Sequence, residues 1–185
     1  SDGTCNSIAQ PSMGSAGTSF TRNLKGSLPH KNGYADVGQV ANMLKRDVDA
    51  DGDQVAPFNQ LTTAWIQFMT HDWFAHDNDE DPGLKMKNKV THWWDASQIY
   101  GSTEEQLNAV RIDGGKLHLD DNNEIDYMDR KPITGFGDNW WAGLHVLHTI
   151  FTREHNYLVD MLSDMYPDMS SDELFGTARN IIAAM

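Results

Sequence analysis

The sequence predicts a mainly α fold, and three observations carry that prediction. Stretches at 59–76, at 140–163 and from 170 onward place large apolar residues at helical spacing. Two segments open on a Ser followed three residues later by a Glu, Ser102 with Glu105 and Ser170 with Glu173; this is the reciprocal pattern that closes a helix N-terminus. Strand signals are few, and no internal repeat is visible. At 185 residues the chain has the length of one ordinary domain.

In chain order, residues 1–34 are rich in Gly, Ser, Pro and Asn with little periodicity, and read as an irregular arm. Residues 35–46 suit a short helix. The polar loop "DVDADGDQVAPF" (47–58) follows, and Asp47, Asp49, Asp51, Gly52 and Asp53 match the start of an EF-hand calcium loop. Phe58 stands where the bidentate Glu belongs, so a calcium-binding turn and a solvated acidic turn both stay open. Residues 59–76 form the first strong helix, and 77–89 a charged loop. A capped helix is expected over 102–112, turns with a short hairpin over 113–137, and a second long helix over 140–163. The third begins at "SSDELFGTARNIIAAM" and runs to Met185 without a Gly, Asn or Pro stop signal. A helix cut there is expected to expose Ile181 and Ile182, so another polypeptide is expected to complete the fold. Residues 35–185 then read as the N-terminal part of a larger domain, with long loops.

Composition narrows the function. Hydrophobic residues make up 39% of the chain, and six Trp point to an aromatic interior. A formal charge of −13 argues against nonspecific binding to nucleic acid or anionic membrane, and is compatible with bound cations. One cysteine, Cys5, permits no internal disulfide. No apolar run reaches transmembrane length. Localisation stays open, secreted and membrane-peripheral sites included.

"WIQFMTHDW" (65–73) sets a His-Asp pair among large apolar side chains. Residues four apart on a helix share a face, so Gln67 and His71 stack on one side with Phe74 near them. Leu61, Trp65, Phe68 and Asp72 follow another stripe. Neighbours lie about 100° apart around the axis, so His71 and Asp72 serve different partners. The plain alternative is a satisfied core histidine beside a partly exposed aspartate. In "THWWDASQIYGS" (91–102), Thr91, Trp93, Asp95 and Ser97 alternate, and in extended chain they share a face. Hydroxyls, a carboxylate and backbone carbonyls there suit calcium, with Asp72 as a second carboxylate. A turn with Ser and Thr bonding the backbone is the alternative.

"WIQFMTHDW", "WWDASQIYGS" and "GLHVLHTIFTREHN" (143–156), in this order, resemble the animal-type haem peroxidase superfamily, also called the peroxidase–cyclooxygenase superfamily. The tryptophan-rich forms of the first two, and "GTSFTRN" (17–23), most resemble its fatty-acid α-dioxygenase branch. The resemblance implies a haem-peroxidase-like helical domain, incomplete in this chain. It implies catalytic and haem-facing roles for His71, the distal histidine, and Gln67, the distal glutamine one turn earlier. It implies calcium ligation by Asp72, Thr91, the Trp93 carbonyl, Asp95 and Ser97. His155 of "REHN" becomes a structural helix residue, and His145 and His148 read as histidines on a partly buried face. His30, His76, His92 and His118 carry no motif.

The departures are as informative. Thr70 and Trp140 stand where mammalian relatives carry haem-esterifying carboxylates, which implies non-covalent haem b. The catalytic arginine of peroxidases belongs near Gly137, and "GFGDNWW" contains none. The proximal histidine and the radical tyrosine belong beyond Met185, so a complementary C-terminal polypeptide is the expected partner and the isolated chain is expected to be inactive. Three functions stand: fatty-acid α-dioxygenation with O2, peroxidase chemistry with H2O2, and a non-catalytic peroxidase-like binding module. The Gln67/His71 pair disfavours the last, and the missing arginine favours the first over the second.

Overall fold

The computed structural model describes residues 2–21, 36–45, 57–76, 87–128 and 131–185. The helical periodicity becomes α1 (Val37–Leu44), α2 (Gln60–Trp73), α3 (Ser97–Tyr100), α4 (Glu104–Val110), α5 (Ala142–Met165) and α6 (Ser171–Ala184). The acidic turn at 47–53 and His30 lie outside the described residues. The chain forms two compact units, one of 1–20 with 60–185 and one of 21–59. In the smaller unit, α1 is capped by Asp36, whose carboxylate accepts from the Gln39 N–H, and it buries no residue.

The larger unit is built on α5. Its inward stripe is Leu144, Leu147, His148, Thr152, His155, Leu158, Val159 and Leu162, the i, i+3, i+4 rhythm of one helical face. Against it pack Ala64 and Phe68 of α2, Ile99 and Tyr100 of α3, Leu117, and Leu174, Phe175, Ala178 and Ile182 of α6. Each large apolar side chain so buried contributes roughly 1.5–3 kcal/mol relative to exposure. Phe68 stacks on Phe151 of α5 at 5.2 Å, which fixes α2 across α5. At the start of α5 the Trp141 ring folds over Gly143, where an added Cβ would meet it at 2.4 Å.

Several boundaries differ from the sequence expectation, each for a local reason. Helix α2 ends at Trp73 rather than 76 because buried Asn88 takes over its end. Asn88 Nδ2 donates to the Trp73 carbonyl at 2.8 Å, and its Oδ1 accepts from the Ala75 N–H at 2.7 Å. Helix α4 is capped by Thr103, not Ser102: the Thr103 hydroxyl accepts from the Gln106 N–H, and the Gln106 side chain accepts from the Ser102 N–H. The Ser170/Glu173 box forms as expected. The hairpin pairs β1 (Tyr127–Met128) antiparallel with β2 (Lys131–Pro132). The expected exposure of Ile181 and Ile182 is corrected: Ile182 is 4% exposed and Ile181 packs against the same core, because α6 lies along α5 with that face inward.

The described part of the N-terminal arm is irregular, yet it lies against the 87–93 segment. Gly17 N–H donates to the Asn88 carbonyl, Asn88 N–H to the Thr18 carbonyl, His92 N–H to the Gly14 carbonyl, and Trp93 Nε1 to the Met13 carbonyl at 2.8 Å.

Candidate active site

Helix α2 carries His71 and Asp72 to opposite tasks. Both are buried, at 5% and 3% exposed. The His71 ring stands edge-on to Phe136 at 4.6 Å and lines two clefts, of about 390 Å³ and about 190 Å³. Its Nδ1 is fully buried with no hydrogen-bond partner. Burial lowers its pKa to about 4, so the imidazole is neutral at pH 7. Gln67 and Thr70 line the larger cleft beside it. The Gln67 amide is held at both ends: Nε2 donates to the Asn139 carbonyl at 3.2 Å, and Oε1 accepts from Trp141 Nε1 at 2.8 Å. The Thr70 hydroxyl donates back to the Ile66 carbonyl. The arrangement is therefore neither a satisfied core histidine nor an exposed aspartate.

Asp72 turns the other way, into the 91–97 segment. That segment curls rather than running extended, with Ala96 at φ +59°, and Ser97 opens α3. The curl gathers the oxygens more closely than a strand face does. Asp72 Oδ1 accepts from Ser97 N at 2.7 Å and from Ser97 Oγ at 3.2 Å, while Ser97 Oγ also donates to the Asp72 carbonyl at 2.8 Å. Asp95 Oδ1 accepts from Ser97 N at 3.2 Å, and Asp95 Oδ2 accepts from Thr91 Oγ1 at 3.0 Å. Thr91 Oγ1 also reaches the Trp93 carbonyl at 3.2 Å. Burial first, and the Asp95 charge second, push the Asp72 pKa up to about 6; burial also raises Asp95, and nearby Arg179 lowers it. Two carboxylates and further hydroxyl and carbonyl oxygens thus lie in one hydrogen-bonded cluster. Among the described residues no three His, Cys, Asp or Glu side chains converge, and this cluster holds two carboxylates.

The remaining histidines divide. His155 is fully buried and fully bonded: Nδ1 meets Tyr100 Oη at 2.9 Å and Nε2 meets the Gly115 carbonyl at 3.0 Å. His145 contacts Tyr127 Oη at 2.6 Å and Glu124 at 3.1 Å. His148 breaks the expectation of a partly buried face: it is 1% exposed, its Nε2 has no partner, and burial lowers its pKa to about 3. No described arginine lines either His71 cleft. Arg111 pairs with Asp172, Arg153 donates to the Asn123 carbonyl, and Arg179 donates to the Asp95 carbonyl. The cation lining both clefts is Lys89.

Sequence reasoning missed His148, Gln98 and Asn88. Gln98 is buried with Oε1 unpartnered, in the smaller cleft. The available signal was weak: a polar residue beside Ile99 in a short helix, and a histidine four residues after Leu144 on a face that otherwise reads apolar.

Alpha-dioxygenase 2 of Arabidopsis thaliana is 34% identical over the whole of this chain, which spans 34% of that protein. The fold matches a fatty acid alpha-dioxygenase of Oryza sativa, determined with palmitic acid, at a TM-score of 0.81 and 28% identity, over 99% of this chain and 36% of that one. It matches the fatty acid alpha-dioxygenase of Arabidopsis thaliana at 0.81 and 29%, over 99% of this chain and 34% of that one. The chain thus spans about a third of the length of these relatives. The animal haem peroxidase family model matches residues 1–88 and 81–185, and the chain belongs to the animal haem peroxidase family.

Proposed function

We propose that the protein is a haem-dependent oxidoreductase that oxygenates a fatty acid at its α carbon with O2. One observation carries this reading: a buried, neutral histidine without a protein partner lines a cleft with Gln67, in a chain whose fold matches fatty acid α-dioxygenases. The net reaction balances without added peroxide. One hydrogen leaves the α carbon, O2 adds there, and one hydrogen returns to give the 2-hydroperoxy acid.

Haem b fits the donors of this face. His71 lines the larger cleft beside Gln67, whose side-chain amide is already fixed by Asn139 and Trp141. When bound, haem supplies the one-electron oxidation that starts the reaction. His71 would be the group that holds and moves a proton beside the bound haem, since a neutral imidazole is the natural base near pH 7. Gln67 orients the bound small molecule beside it. Thr70 and Trp140 carry no carboxyl group, so the haem is held without ester bonds. The proximal histidine and the radical tyrosine come from complementary polypeptide outside this chain, as the family resemblance implies.

Calcium is the second cofactor in this reading, held by Asp72, Thr91, the Trp93 carbonyl, Asp95 and Ser97. It ties α2 to the start of α3, and so fixes the helix that presents His71. The peroxidase alternative uses H2O2 and calls for a cation to polarise the peroxide. Among the described arginines, Arg111, Arg153 and Arg179 are all engaged elsewhere, which weighs against it, and the cation lining both clefts is a lysine, Lys89. The test is O2 uptake by the haem-loaded protein with palmitic acid, set against guaiacol oxidation with H2O2. The reading requires fatty-acid-dependent O2 uptake; guaiacol turnover without it transfers the assignment to the peroxidase.

A further inference from the structure

Beside His71 lies a second, smaller cleft, which borders both the distal cleft and, through Ser97, the calcium cluster. Among the described residues, the buried side-chain nitrogens and oxygens without a partner are His71 Nδ1, Gln98 Oε1 and His148 Nε2. These three residues are at most 5% exposed. An unpartnered buried polar atom costs about 1–3 kcal/mol, so three in one protein call for a common explanation.

Two of them share one cleft, and the third, His148, lies against its Gly135 wall. His71 and Gln98 line the cleft of about 190 Å³, together with Gly135 and Phe136. Phe136 lies against the His71 ring, and Gly135 lies against His148. A Cβ added at Gly135, whose φ is +84°, would come within 2.9 Å of His148 Cε1 and 3.4 Å of its Nε2. The orphaned edge of His148 therefore faces the glycine wall of this cleft. Phe68 and Trp140 hold the same ring edge-on at 5.0 Å and 4.7 Å, so it is caged there. Lys89, Ser97, Ser102, Thr103 and Gln106 bring further polar groups to the lining, and Val90 and Phe136 apolar ones. Several polar groups around this volume suit water, which takes roughly 30 Å³ per molecule and needs two to four polar partners.

We propose that this cleft is a built water site whose ordered water links His71 Nδ1, Gln98 Oε1 and His148 Nε2. Gln98 Oε1 can only accept, so the water turns one hydrogen toward it; in the proposed arrangement its second hydrogen goes to His148 Nε2 and its oxygen accepts from His71 Nδ1–H. His71 then carries its proton on Nδ1, which leaves the Nε2 lone pair free for the other side of the ring. Gln98 and His148 are positioning residues: they act on His71 through water and touch no substrate. The consequence for catalysis rests on the reading of His71 as the distal base, whereas the water site and the tautomer do not.

The test is neutron diffraction from deuterated crystals of the full-length, haem-loaded protein. The expected result is ordered D2O within about 2.7–3.2 Å of all three atoms, with deuterium on His71 Nδ1 and none on Nε2. A dry cleft, a direct protein partner for any of the three atoms, or deuterium on Nε2 overturns the proposal in the wild type alone, whatever the activity proves to be. Gln98→Leu is then expected to lose the water and about tenfold in kcat, with KM and the haem spectrum unchanged, while Gln98→Glu retains both water and rate. Equal loss of kcat in the two variants, with the water retained, contradicts the positioning role. Failure of fatty-acid oxygenation with the D2O and the Nδ1 deuterium present overturns the distal-base reading and leaves this site standing.

Discussion

Helix α5 buries polar groups in two neighbourhoods, and they are built in opposite ways. Around His155 the chain satisfies itself: Tyr100 and Gly115 take the two ring nitrogens, and Asn156 pairs with both backbone groups of Leu117 at 2.7 and 2.9 Å. About two turns earlier, His148 has an unpartnered nitrogen, as does His71, and Gln98 nearby has an unpartnered oxygen. Burial is equally deep in both places. The difference is that the first neighbourhood is scaffold, complete in itself, while the second leaves donors and acceptors that the described residues do not fill. A buried histidine is thus read by its partners rather than by its burial.

This contrast is best broken on the scaffold side. His155→Leu removes partners from the Tyr100 hydroxyl and the Gly115 carbonyl inside the core. It is expected to cost about 2–4 kcal/mol of stability, measured by denaturant unfolding at pH 7. The same variant sharpens the contrast through pH. Burial lowers the His155 pKa to about 4, below its unfolded value, so its contribution is present above pH 6.5 and is lost as pH falls toward 4. His155→Leu is therefore expected to flatten the acid side of the stability profile. A loss of less than about 0.5 kcal/mol makes the scaffold description wrong.

Calcium gives a somewhat smaller effect on the opposite face of α2. At a hundredfold excess over its Kd, a bound ion adds about 2.7 kcal/mol. The sign with pH follows from Asp72, whose pKa is raised to about 6. Without metal, folding favours its protonated form, a contribution present below pH 3.8 and lost as pH rises through about 6. Calcium requires the carboxylate, so its increment in Tm is expected at pH 7 and vanishes as pH falls below about 6. Asp72→Asn is expected to remove the increment at every pH. A calcium-independent melting curve at pH 7 rejects the site. The smallest effect belongs to the cap of α6: Ser170→Ala is expected to cost about 1 kcal/mol by thermal unfolding, with no change in activity beyond the folded fraction.

Much of this was legible in the sequence because it is local. The apolar rhythm of α2, α5 and α6, the Ser170/Glu173 box, and the divergence of His71 from Asp72 all follow from 3.6 residues per turn. What was not legible depends on residues far apart in the chain. Asn88 shortens α2 from fifteen residues away, and α6 buries Ile182 by lying along α5. His148 reads from its neighbours as one more helix residue, and only the approach of Gly135 and Trp140 encloses it. The shift of the cap from Ser102 to Thr103 is a one-residue choice between two hydroxyls, and the Gln106 side chain decides it by bonding back to Ser102.

The account turns on His71 being the site's proton-handling group rather than part of its scaffold. The direct measurement is fatty-acid-dependent O2 uptake by the haem-loaded full-length protein, wild type against His71→Ala, with the haem absorption and the melting temperature recorded on the same samples. The account predicts a fall in rate of about 10²–10⁴-fold, with haem retained and melting largely unchanged, because among the described residues no protein group depends on the His71 ring for a hydrogen bond. A variant that keeps its rate, or one that loses rate only in proportion to lost fold, contradicts it.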